Sequence, residues 1–299
     1  MRILVTGGSG LIGRRLVPAL AADGHTVLRL VRARPHEGCE FLWSPETGIM
    51  DPAALAGCDA LIHLAGASIA ARWDHERRIQ IRESRVASTR LLAARLARAL
   101  PRPGTWLCAS AVGIYGDRGE EVLSEASAPG AGFLADVVRA WESETVPASQ
   151  AGVRVVHLRL GIVLARAGGA LPPLVWPFRL GVGGHLGNGR QWLSWITLDD
   201  TIDAIRHALA HPDLTGPVNV VAPAPVTHRE LGRALGRVLG RPAWMPVPAW
   251  ALRLAMGQMG EELLLFSQRV VPGRLRASGF SFSHEGIEGA LRHALRGPS

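Results

Sequence analysis

The chain has no lysine. All 33 of its basic residues are arginine, against 25 acidic ones, giving a formal charge of +8 and a pI near 11.0. Such a balance invites a nucleic-acid partner. The arginines are scattered, however, and often stand beside acids, as in Asp74-His-Glu-Arg-Arg78 and Arg82-Glu-Ser-Arg85. They read as solvated helix faces with no recognised binding module, so no nucleic-acid partner is expected. Cysteine is scarce too. Cys39, Cys58 and Cys108 lack C-x-x-C spacing, which argues against a disulfide framework or a zinc site and fits free thiols in a reducing cytoplasm. No run of about eighteen uncharged apolar residues exists, so neither a membrane span nor a membrane partner is expected. The chain enters a strand at once, which leaves no room for a signal peptide. There are no repeats and no low-complexity linker.

What is present begins at the first residues. Arg2 to Thr6 is a short apolar run, long enough for a buried parallel strand. Gly7, Gly10 and Gly13 then fall three apart, and the sequence from Leu11 to about Ala22 has helical character. Strand, glycine turn and helix together aim backbone N–H groups and the positive end of a helix at a pyrophosphate. In that arrangement Gly7 allows the tight turn, Gly10 the close approach of phosphate, and Gly13 close packing of helix on strand. The turn therefore predicts a dinucleotide site.

After Gly24, His25–Val31 reads as the second strand of a right-handed βαβ unit. An NAD site carries an Asp or Glu at the end of this strand to grip the ribose hydroxyl. Here the strand ends Leu30-Val31-Arg32, with Arg34 close behind and no acid. A guanidinium suits a 2′-phosphate instead, so NADP(H) is the predicted cofactor. Further strands are expected at Ala60–Leu64, Thr105–Ala109 and Val153–Leu158. Long helical stretches are expected at Arg72–Leu100 and Phe133–Ser149. Ala65 and Gly66, just past a strand, let backbone lie close to a cofactor. His63, inside an apolar run, reads as a core histidine. Strands alternating with helices imply a Rossmann-type α/β fold, a doubly wound and mainly parallel sheet covered on both faces. We assign residues 1–222 to this cofactor domain, with 166–198 as a Gly/Pro-rich substrate-side loop, and 223–299 to a smaller, mostly helical C-terminal domain. Within the loop, Arg190, Gln191, Trp192 and Trp195 could wall a substrate pocket, or the tryptophans could be core anchors. Leu198-Asp-Asp200 is expected to cap the following helix.

These features resemble the extended short-chain dehydrogenase/reductase family of nucleotide-sugar epimerases and dehydratases. The resemblance rests on Thr6-Gly-Gly-Ser-Gly-Leu-Ile-Gly13, His63-Leu-Ala-Gly66, Ser110…Tyr115-Gly116 and Leu158-Arg159. More closely, the chain is similar to the "epimerase family" subgroup with its own C-terminal domain, which includes cell-division-inhibitor-like proteins. The specific pieces are Ser110-Ala-Val-Gly-Ile-Tyr-Gly116, Pro177–Gly184, Gly189–Ile196 and the stretch Gln268–Pro272. The resemblance implies cofactor contacts from Gly7, Ser9, Gly10, Leu11, Ile12, Gly13, Arg32, Leu64, Ala65 and Gly66, with Gln80, Arg85 and Val163 completing the set. It also implies a homodimer through the two long helices.

The usual members use Ser or Thr with a Tyr-x-x-x-Lys pair. The tyrosine moves the proton while hydride moves to or from the nicotinamide, and the ammonium lowers the phenol pKa from about 10. This chain cannot build that pair, because it has Phe133 and Val137 at the two positions and Tyr115 is its single tyrosine. Two readings follow. In one, Ser110 and Tyr115 orient a small, sugar-like substrate over the nicotinamide, and Asp117, Glu125 or His185 handles the proton. In the other, the chain keeps NADP(H) and has lost turnover, serving as a redox-responsive regulator linked to cell division. No metal is expected in either.

Overall fold

The computed structural model describes residues 1–33, 35–36 and 38–296; Arg34, named above, lies outside them. Eight strands form the main sheet: β1 (Arg2–Thr6), β2 (Thr26–Val31), β3 (Glu40–Ser44), β4 (Ile49–Met50), β5 (Ala60–His63), β6 (Thr105–Ala111), β7 (Arg154–Leu160) and β8 (Gly216–Val220). Their spatial order is β8-β7-β6-β5-β1-β2-β3-β4, and every pairing except β3 with β4 is parallel. The order runs outward in opposite directions from the β1–β5 boundary. In open parallel sheets, ligands bind outside the strand carboxyl ends at such a reversal.

Alternation along the strands sends side chains into two cores. Ile3, Val5, Ile62, Leu107, Leu158 and Val218 pack beneath α1 (Gly13–Ala22) and the helix Leu198–Ala210. Leu4, Leu28, Leu61 and Trp106 pack on the other face under α2 (His75–Arg98) and α3 (Phe133–Ser143). This two-sided burial is why the strands are nearly continuous apolar runs. Each buried Leu or Ile contributes about 1.5–3 kcal/mol.

Several boundaries differ from the sequence expectation. The first helix begins at Gly13, because Leu11 and Ile12 belong to the turn. The second long helix stops at Ser143 and resumes over Val146–Gln150, whose first turn holds Pro147. The Gly/Pro-rich loop contains a helix, Leu171–Arg179, because Pro172 and Pro173 stand in its first turn, where their missing N–H groups are no loss. The helix after the loop is capped by Thr197, whose Oγ accepts from Asp200 N at 3.1 Å, and Leu198–Asp200 are its first turn. Toward the end of the chain, Glu261–Leu265 is a single π turn. Arg269–Val270 then pairs with Val122–Leu123, so the last part of the chain is stitched to the loops above the sheet.

Candidate cofactor and active site

The glycine turn has the geometry its spacing implies. Gly7 has φ +70°, and a Cβ there would stand 2.7 Å from Leu64 C and 2.8 Å from Ala65 N. A Cβ on Gly13 would meet Gly7 O at 2.2 Å and Gly8 Cα at 2.7 Å. These two glycines let α1 and the β5 end close on the turn. Gly10 is different: a Cβ would meet only Gly7 O within 4 Å, at 3.2 Å, and opens onto free space. Ser9 and Gly10 are exposed, while Leu11 and Ile12 are half-buried. This is a cradle with room for a phosphate at the N-terminus of α1.

The β5 side of the cradle is held by a hydrogen-bond chain. Thr6 Oγ1 accepts from Leu64 N and Ala65 N, both at 3.2 Å, and lies 2.6 Å from His63 Nδ1. With its lone pairs engaged, the Thr6 hydroxyl donates its proton to Nδ1, so the His63 proton sits on Nε2 and is donated to Ser88 Oγ at 3.1 Å. Ser88 in turn donates to Ser84 O. Burial, with the nearby Arg85 charge, pushes the His63 pKa down to about 3. His63 is thus a neutral strut that fixes Leu64 and Ala65.

Arg85 lies under Gly66, where a Cβ would stand 3.2 Å from its Cζ. Its guanidinium sits 5.3 Å from the Trp141 ring and donates to Ile81 O, and no carboxylate pairs with it among the described residues. Burial, then Arg77, lowers its pKa to about 10. Arg32 is exposed at the end of β2 and makes no hydrogen bond or ion pair among the described residues. Gln80 is exposed five residues before Arg85 on α2 and bonds Arg77. Val163 lies in a short strand, Ile162–Ala165, paired with Trp195–Thr197. Its carbonyl is 3.5 Å from where a Gly169 Cβ would stand. The open cradle and an exposed arginine at the strand end fit a dinucleotide carrying an extra phosphate.

Ser110 and Tyr115 stand differently. Ser110 shares its side of β6 with Trp106 and Cys108 and donates to Glu142 Oε1 at 2.5 Å. Glu142, on α3, takes a two-pronged ion pair from Arg159 Nε and Nη2, each at 2.9 Å. Arg159 Nη1 donates to the Tyr115 hydroxyl at 3.0 Å, and that hydroxyl donates to Asn219 Oδ1 at 2.7 Å. Asn219 closes the chain by donating to Val271 O. Ser110, Tyr115 and Asn219 are at most 2% exposed. Burial would raise the Glu142 pKa, but Arg159, His157 and Ser110 win and hold it low. Burial raises the Tyr115 phenol despite Arg159.

The other proton-handling candidates are also engaged. Asp117 accepts from Ser267 N, and Glu125 accepts from Asn219 N and Arg274 N. His185 is half-buried beside Arg229 and Arg233, and burial followed by those charges lowers its pKa. Trp195 is fully buried and donates to Ala224 O, a core anchor, whereas Trp192 lies beneath Arg269 at 4.2 Å and donates to Glu120. Phe133 packs edge-on to Trp73 at 5.1 Å with Arg78 4.7 Å from its ring centre. Its own N–H and that of Leu134 are capped by the buried carboxylate of Glu262, from the C-terminal part of the chain. Sequence reasoning did not single out Glu142, Asn219 or Glu262. The available signal was Arg159, a charge in the apolar strand Val-Val-His-Leu-Arg-Leu160, which demands a buried partner. No group of three or more metal-ligating side chains forms a site among the described residues.

The strand order and the glycine cradle define a Rossmann-type dinucleotide-binding protein. The chain belongs to the NAD-dependent epimerase/dehydratase family, whose model matches residues 3–222; a domain of unknown function matches 247–294. The epimerase family protein MT2273 of Mycobacterium tuberculosis is 44% identical over 297 residues, covering 99% of this chain and 98% of that one. YfhF of Bacillus subtilis, also an epimerase family protein, is 38% identical over 99% of this chain and 98% of its own. Among solved structures, human epimerase family protein SDR39U1 (isoform 2) with NADPH aligns with a TM-score of 0.89 at 32% identity, covering 99% of both chains. No described helix is long and apolar enough to cross a membrane.

Proposed function

We propose that this chain binds NADP(H) and exchanges hydride with a small, sugar-like substrate through a site that lacks the Tyr-x-x-x-Lys pair. The observation that carries the cofactor reading is the open cradle at Gly10 together with Arg32, exposed at the end of β2 and without a carboxylate partner among the described residues. The bound NADPH of the human relative supports it. Gly7, Ser9, Gly10, Leu11, Ile12 and Gly13 would hold the pyrophosphate and Arg32 the 2′-phosphate. Leu64, Ala65, Gly66, Gln80, Arg85 and Val163 would line the remainder. When bound, the nicotinamide supplies the hydride. Catalysis by Ser110 and Tyr115 requires their hydroxyls to leave Glu142 and Asn219 when substrate enters.

The closed network favours a second reading, an NADP(H)-binding regulator without turnover. Phe133 has no proton to give, and the Tyr115 hydroxyl is already engaged as donor and acceptor. Incubating the NADPH-loaded chain with metabolite pools, following nicotinamide absorbance and product masses, separates the two. Turnover that Ser110→Ala or Tyr115→Phe abolishes supports the first reading; no turnover across broad pools supports the second. The free thiols suit a reducing cytoplasm. The faces of α2 and α3 remain our proposed homodimer contact.

A further inference from the structure

Of the exposed large apolar side chains, Trp176, Leu180, Val182, Trp244, Met245, Trp250 and Leu254 fall in two neighbouring segments, whereas the others, Leu100 among them, are scattered. Trp176, Leu180, Trp244, Trp250 and Leu254 are each between 60% and 76% exposed. They come from two segments that lie side by side. Met245 N bonds Gly183 O, Val247 N bonds His185 O and Gly187 N bonds Val247 O. Trp176 and Leu180 are four apart, at the end of the helix Leu171–Arg179, whose opposite side buries Val175 and Phe178. Trp250 and Leu254 are also four apart, on the helix Ala249–Met256, which buries Leu252. A soluble surface scatters such side chains singly, and a concentration of this kind marks an interaction site.

The charge pattern selects the occupant. Residues 166–198 and 231–260 contain no Asp or Glu at all, but carry Arg166, Arg179 and Arg190 in the first stretch and Arg233, Arg237, Arg241 and Arg253 in the second. Two acids reach this set from elsewhere: Glu261 pairs with Arg253, and Glu288 with Arg237. Arg179 and Arg241 are exposed. Two copies of a face with this excess of arginine repel, which argues against self-association here. Aliphatic Leu180 and Leu254 offer no stacking surface to bases, which argues against a nucleic acid. Tryptophans among leucines suit the water–lipid boundary, and arginines around them suit anionic headgroups.

We propose that this face docks peripherally on a membrane surface containing anionic lipid, inserting Trp176, Trp244 and Trp250 at headgroup depth. It revises the sequence expectation of no membrane partner, which rested on the missing span. It stands apart from the cofactor reading, since none of these residues belongs to the cradle.

The test sediments the full chain with vesicles of phosphatidylcholine alone and of phosphatidylcholine with phosphatidylglycerol. Binding to the second only, weakened by salt, is expected. The variant Trp176→Ser/Trp244→Ser/Trp250→Ser should lose on the order of tenfold or more in vesicle affinity while its NADPH titration is unchanged. A second variant, Arg179→Glu/Arg241→Glu, changes exposed charge only and should lose at least about fivefold. No binding to anionic vesicles at low salt overturns the proposal, as does undiminished binding by both variants. A tryptophan variant that turns a lipid-free dimer into a monomer also overturns it, assigning the face to a second copy.

Discussion

Two polar constructions sit near the carboxyl ends of the same sheet, and they are opposites. At the glycine turn the protein's own hydrogen bonds are used to fix backbone, through Thr6, His63 and Ser88, while the space at Gly10 is left open and the Arg32 guanidinium has no partner among the described residues. Around Ser110 and Tyr115 nothing is left over. Serine, glutamate, arginine, tyrosine and asparagine satisfy one another between β6, β7, β8 and α3. Unsatisfied donors await a ligand, and satisfied ones hold a fold. Hydroxyl chemistry and buried charge are therefore poor guides to catalysis until their partners are known.

The largest effect should come from breaking the closed construction. Arg159→Met leaves Glu142 charged and buried without its partner, with side-chain exposures of 8% and 13% for the pair. Removing one member of such a pair costs about 3–5 kcal/mol. Denaturant unfolding should show that loss, while the NADPH dissociation constant of the folded variant stays within about threefold. A cofactor affinity that collapses along with stability would unite the two constructions and end the contrast.

Next in size is the cradle. Gly13→Ala forces a methyl to within 2.2 Å of Gly7 O, so the turn must open. We expect at least about a hundredfold loss of NADPH affinity by calorimetry, roughly 2.7 kcal/mol. Unchanged affinity would falsify the assignment of this turn to the cofactor. Arg32→Glu should act more narrowly, weakening NADPH by about ten- to a hundredfold and leaving NADH unaffected. Equal NADPH and NADH affinities in the unaltered chain would remove the 2′-phosphate from the account.

The same contrast governs what could be read from sequence. The cradle was legible because its determinants are local: Gly7, Gly10 and Gly13 spaced three apart, flanked by a strand and a helix, with the acid missing at the next strand end. The parallel sheet was legible for a similar reason, as apolar strands alternate with helices. The closed network was not, because Glu142 meets Ser110 across 32 positions and Tyr115 meets Asn219 across 104. Ser110 stands out in the sequence as a strand-end serine, but which way it points depends on register, and register places it toward α3. Glu262, capping the helix that begins at Phe133, comes from nearly 130 residues away, and no spacing announces it. The helix Leu171–Arg179 was hidden by its prolines, whose effect depends on whether they fall in the first turn.

The smallest predicted effect concerns the strut beneath the cradle. His63 is neutral in the folded chain with its pKa pushed down to about 3, against about 6.5 when unfolded. Below pH 6.5 the unfolded chain takes up a proton at this position and the folded chain does not. Stability from this residue is therefore complete above the unfolded value and is lost as pH falls toward the folded one, at up to about 1.4 kcal/mol per pH unit. His63→Asn removes the titrating group, so the difference in unfolding free energy between variant and parent should shrink as pH drops from 7 to about 5. Glu142, held low in the closed network, adds a loss of the same sign only below its unfolded pKa of about 4.3. Between pH 5 and 6.5 the other buried histidines, His157 and His228 among them, contribute equally to parent and variant, so the difference between the two reports the strut. A difference that stays constant across that interval would mean that His63 holds a second proton in the fold as readily as in the unfolded chain. In that case Nδ1 would be a donor and Thr6 could not donate to it, so the Thr6–His63 link, unlike the bond to Ser88, would reverse.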